Sequence, residues 1–198
     1  MRSFSLKQFS FGLALASFVC AGAASAQSLA GVTTRLDKTL DSGSAKSGEP
    51  ITAKLDSSVT TPDGVKLPRG TELIGQVADV KAAQGGPVSL TLVFSSARLK
   101  DGKEIPVKAT LVGAYSASEG DDATYGSMTM APAPATVSSD DTFNQQPGAL
   151  HHVALTSAVK NSDSGTFTSS TGNFKLSAGT YLQFGVDASA SKRTSAAE

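Results

Sequence analysis

Few side chains in this sequence of 198 residues have the type and spacing that catalysis or metal binding requires. His151-His152 is the only histidine pair, and imidazole is the commonest protein metal ligand. Neighbours along a strand point to opposite faces, however, so the pair reads as strand-entry residues and not as a metal site. Asp121-Asp122 and Asp140-Asp141 lack the spaced oxygen ligands of a calcium loop and read as solvated charge. Serines are abundant, but no Gly-x-Ser-x-Gly elbow accompanies them. Gln84-Gly85-Gly86-Pro87 has no Lys-Ser/Thr sequel and leads into a strand, which excludes a phosphate-binding glycine loop. The one cysteine, Cys20, lies in an N-terminal segment expected to be removed. The residue types therefore predict no enzyme and no bound metal or cofactor.

That N-terminal segment, residues 1–26, has the grammar of a secretory signal. Arg2 and Lys7 are basic, Phe9 to Val19 is apolar, and Ala24-Ser25-Ala26 forms a small-residue cleavage site. The apolar run is shorter than the roughly 20 residues a membrane-spanning helix needs, so no transmembrane segment is expected after cleavage. Lipid attachment at Cys20 is disfavoured, because Ser17 stands where a lipoprotein signal carries leucine. The expected location is the periplasm or the exterior, with a mature chain starting at Gln27.

Without Arg2 and Lys7, acidic side chains exceed basic ones by two, and the chain has no tryptophan. Nucleic-acid binding needs concentrated positive charge, which this balance does not supply. Residues 27–187 are long enough for one domain with a real core.

The elements that must position any site read as all-β. Pro62-Asp63-Gly64 and Pro68-Arg69-Gly70 are turns, and Thr71, Leu73, Gly75 and Val77 then alternate with Glu72, Ile74 and Gln76. A second unit, Lys175-Leu176-Ser177-Ala178-Gly179-Thr180-Tyr181-Leu182, makes the same turn-then-strand move. Other strands are expected over Leu29 to Leu40, Pro50 to Leu55, Val65 to Leu67, Val88 to Phe94, Ile105 to Val112, Val153 to Val159 and Gly165 to Ser169. Asp101-Gly102 between alternating runs marks a hairpin. Pro106 predicts that the strand after it is an edge or a bulged strand, since proline cannot donate to a ladder. Residues 116–148 lack sustained apolar periodicity and read as a flexible insertion, and 188–198 as a polar tail. The expected fold is a single small β-barrel or sandwich. Its core should contain Leu36, Ile51, Leu55, Leu73, Val77, Leu90, Leu92, Phe94, Ile105, Val107, Leu111, Leu155, Phe167, Leu182 and Phe184.

Pro68-Arg69-Gly70-Thr71-Glu72-Leu73-Ile74-Gly75, with the later Asp101-Gly102 turn and Gly179-Thr180, resembles the C-terminal β-barrel domain of the TrbI-type conjugal-transfer proteins of type IV secretion. The resemblance implies a periplasmic barrel that docks with other envelope proteins. It also implies that Pro68, Gly70, Thr71, Gly75, Asp101, Gly102, Gly179 and Thr180 are structural turn residues. The chain departs from that family in having a cleavable signal where the family has a membrane anchor. Its 116–148 segment also has no apolar run able to cross a bilayer. A structural or docking module with an envelope protein partner, or with itself, is the expected function. A barrel binding glycan or peptidoglycan is the alternative, weakened by having only Tyr115, Tyr125 and Tyr181 as tyrosine platforms.

Overall fold

The computed structural model describes residues 28–82, 86–116, 136–138, 140–145, 150 and 152–188. The signal segment, Asp121-Asp122, His151 and residues 189–198 lie outside that set. Among the described residues there is no helix, and the strands in chain order begin with β1 (Ser28–Leu36), β2 (Leu40–Asp41), β3 (Pro50–Leu55), β4 (Val59–Thr60) and β5 (Lys66–Leu67). Three long strands follow: β6 (Glu72–Ala82), β7 (Val88–Arg98) and β8 (Glu104–Tyr115). The chain continues with β9 (Thr136–Ser138), β10 (Thr142–Gln145), β11 (Val153–Ala158), β12 (Gly165–Ser169), β13 (Lys175–Leu176) and β14 (Tyr181–Asp187).

Strands β7, β6, β3, β1, β14 and β8 pair antiparallel in that order, and β8 returns to β7, closing a six-stranded barrel. Period-two patterning fills its interior. Leu73, Val77, Leu90, Leu92, Leu111, Phe167, Leu182 and Phe184 have no exposed surface, and Phe94 meets Phe184 edge-on at 5.0 Å between ring centres. Every expected core residue is buried except Ile105, which is half-buried beside the β7–β8 turn.

Closure overturns one of the two readings of Pro106. Strand β8 is not an edge, because it pairs with both β14 and β7. The bulge is real: Pro106 lies opposite Ser96, where the β7–β8 register slips between Phe94 and Ser96. Beyond this point β7 and β8 part, and β12 takes over the edge of β7 through Leu92↔Gly165 to Val88↔Ser169. Two buried serines satisfy the backbone groups stranded at the split. Ser164 accepts the Phe94 N–H at 2.8 Å through its hydroxyl, and its own carbonyl accepts the Leu111 N–H at 2.7 Å. The Ser157 hydroxyl donates to the Leu111 carbonyl.

An arm of β12, β11 and β10 continues the sheet from β7. Of the 116–148 segment, residues 117–135, 139 and 146–148 lie outside the described set. Thr136–Ser138 and Thr142–Gln145 are strands of the main sheet, so the flexible-insertion reading does not hold for them. Strand β9 pairs with the start of β1, and Leu29, Val137 and Val159 form a second small core on the barrel's flank.

A pseudo-two-fold axis passes between Arg35 and Lys54, which face each other in the β1–β3 register Thr34↔Leu55, Arg35↔Lys54, Leu36↔Ala53. Hydrogen bonds recur on either side of it. Asp37 N–H donates to the Thr52 carbonyl and Asp56 N–H to the Thr33 carbonyl, at 2.9 and 3.0 Å. The β4–β5 pair Val59↔Leu67 corresponds to the β2–β13 pair Leu40↔Leu176. The repeated turn-then-strand unit of the sequence is therefore one half of a duplicated scaffold.

Candidate functional site

The two Gly-Thr turns converge at one end of this axis. In each, glycine takes a left-handed φ, +82° at Gly70 and +85° at Gly179, which a side chain would resist. Gly70 N–H donates to the Leu55 carbonyl and Gly179 N–H to the Leu36 carbonyl. Leu55 and Leu36 return N–H bonds to the carbonyls of Thr71 and Thr180, while the threonine N–H groups close onto Pro68 and Ser177. Both threonine side chains are buried, and the Thr71 hydroxyl has no hydrogen-bond partner among the described residues. Its shape and backbone serve the turn, and its oxygen does not.

Between the turns lies an open cleft of about 670 Å³ whose charged lining is Arg35, Asp37, Lys54, Asp56, Arg69 and Lys100. Arg35 donates to Asp56 at 3.0 Å and Lys54 to Asp37 at 3.1 Å, a reciprocal pair across the axis. The hydrogen bond to Asp56 raises the Arg35 pKa, and that to Asp37 raises the pKa of Lys54. Lys54 also approaches Glu72 at 3.6 Å, whereas Arg35 lies 4.8 Å above the Tyr181 ring, Tyr181 being the counterpart of Glu72. Arg69 and Lys100 make no ion pair among the described residues. The Lys100 chain lies across Gly70, its Cε 3.0 Å from where a Cβ would stand.

The remaining sequence-predicted residues serve the scaffold. Gly102 has φ +85°, and Asp101 Oδ1 accepts the Lys103 N–H at 3.0 Å, which folds the β7–β8 turn and sets Lys100 at the cleft. Gly75 lies at a β6–β7 register slip, where a Cβ would stand 2.3 Å from the Val93 carbonyl oxygen. His152, at φ 55°, stands immediately before β11, as a strand-entry residue would. It borders a second cavity of about 340 Å³ with Asn173, Lys175 and Thr180. Among the described residues no three His, Cys, Asp or Glu side chains are grouped to hold a metal ion. No helix among them is long and apolar enough to cross a membrane.

Sequence reasoning missed Arg35 and Lys54. The signal was present as Arg35-Leu36-Asp37 recurring in Lys54-Leu55-Asp56, and Lys66-Leu67 recurring in Lys175-Leu176. Neither a model of a known protein family nor any curated protein matches this chain.

Proposed function

We propose that the chain is a non-catalytic docking module of the cell envelope, acting in the periplasm on a protein partner, as its resemblance to the type IV secretion barrel implies. The observation that carries this reading is the sheet edge at β10. Thr142–Gln145 pairs with β11 on one side, and no strand among the described residues pairs with the other. An unpaired edge offers backbone donors and acceptors to a strand of another chain, a recurrent docking mode. Strand β8, paired with β14 and β7, offers no such edge, and β10 does. Its position is fixed by Gln145, whose side-chain amide accepts the Ala114 N–H at 2.7 Å and donates to the Ala114 carbonyl at 2.9 Å. The barrel interior is filled with side chains, which favours a surface role over enclosure of a ligand.

The test is crosslinking of the tagged protein in cells, followed by mass spectrometry of the envelope fraction. Discrete envelope proteins should be recovered, and recovery should fall when exposed Thr142 and Asn144 both become lysine with the circular dichroism spectrum unchanged. Capture of bulk peptidoglycan alone, or capture indifferent to the β10 substitutions, would count against it.

A further inference from the structure

The duplicated scaffold allows the demands of the fold to be separated from features added to one half. The basic residue at 35 and 54, the aspartate at 37 and 56, and the Gly-Thr turn occur in both halves, where each has a structural partner. Arg69 has no such warrant. Its counterpart is Ala178, which precedes Gly179 as Arg69 precedes Gly70, and the Ala178 turn makes the same backbone bonds. Lys100 likewise lies over Gly70, the turn glycine that follows Arg69, and lines the cleft beside it. One half thus carries two exposed cations that its turn does not need, both lining the cleft and neither ion-paired among the described residues.

Among the residues that line the cleft, Arg35 offsets Asp56 and Lys54 offsets Asp37, while Glu72, outside the lining, is shared between Lys54 and Arg98; the charges of Arg69 and Lys100 have no counterpart in the lining. This local excess of two positive charges occurs in a mature chain expected to be net acidic. We propose that the cleft is an oxyanion site, in which Arg69 and Lys100 bind a phosphate or carboxylate group of an external ligand. The planar guanidinium of Arg69 can form a bidentate pair with such a group, and Lys100 supplies a point charge. Arg35 and Lys54 are positioning residues, held by their aspartates so that the walls of the cleft keep their shape. Gly70 is the residue whose missing side chain lets Lys100 lie across the turn.

Chemical-shift titration of the purified full chain tests this, with inorganic phosphate and with succinate in separate series and ionic strength held constant by sodium chloride. The Gly70, Lys100 and Gly179 amides should move saturably, with dissociation constants on the order of 1 mM, as suits so small a ligand. Arg69→Ala and Lys100→Ala should each weaken binding about tenfold, the loss of one charge-assisted hydrogen bond. Arg69→Lys should recover part of the loss. Lys160→Ala, whose lysine pairs with Asp140 away from the cleft, should leave binding unchanged. The series that saturates more tightly identifies the ligand's anionic group as phosphate or carboxylate. Shifts that stay linear in both series, or affinities equal in the wild type and the two alanine variants, would overturn the site.

Discussion

Gly75 shows how tightly single residues are specified in this barrel. An added Cβ would stand 2.3 Å from the Val93 oxygen and 2.8 Å from a Phe94 ring carbon, and the backbone oxygen cannot swing away. Gly75→Ala should therefore cost roughly 2–3 kcal/mol in urea denaturation, near the upper range for overpacking. Thr71→Val should behave oppositely: the hydroxyl is buried without a partner among the described residues, so an isosteric methyl should leave stability equal or raise it by about 1 kcal/mol. Asp41 supplies a pH test. The Gly43 N–H, and after it Lys175, hold its pKa below the ordinary 3.8. A lowered carboxylate pKa stabilises the fold above the unfolded value and loses that contribution as pH falls through the folded one. Carboxyl NMR titration of Asp41 should give a midpoint below 3.8, and a midpoint at or above it would contradict the hydrogen bond. Core identities were legible residue by residue because period two separates Leu73 and Val77 from Glu72 and Gln76. The Arg35–Lys54 juxtaposition was not, since it exists only once the β1–β3 register is set.

At the scale of elements, Pro50–Leu55 and Gly165–Ser169 are strands with the bounds their sequences imply, because turn residues or proline mark their ends. Strands β9 and β10 escaped such reading. Thr142-Phe143-Asn144-Gln145 has one apolar residue, and Thr136-Val137-Ser138 is too short to show a period, so both depend on the neighbours they pair with. Val137 tests that dependence: it is 1% exposed and packs 3.1 Å from where a Gly185 Cβ would stand. Val137→Ala should destabilise the protein by about 1–3 kcal/mol in thermal or chemical unfolding. An unchanged midpoint would mean that β9 is not integral to the barrel. Pro106 misled in one respect because a missing N–H is tolerated at a bulge as well as at an edge, and sequence does not distinguish the two.

At the scale of the molecule, the all-β class and a small barrel or sandwich with a filled core followed from composition and alternation, whereas the choice of a closed barrel and the two-fold relation needed the strand order. That order puts the first strand against the last: Ala30 pairs with Val186 and Arg35 with Tyr181, while β3 and β9 divide the other edge of β1. The seam is closed by residues about 150 positions apart, so its loop-closure entropy is met before the contacts that offset it form. A chain ending at Ser177, which lacks β14, should show no cooperative unfolding transition by circular dichroism, despite retaining the sequences of all thirteen strands that precede it. A cooperative transition in that fragment would place the folding unit elsewhere. Synthesis from the N-terminus therefore yields no finished barrel until its last strand emerges. Closure of the barrel is thus a late event in synthesis, and until it occurs the edges of β1 and β8 that β14 covers are open to chaperones, proteases and aggregation.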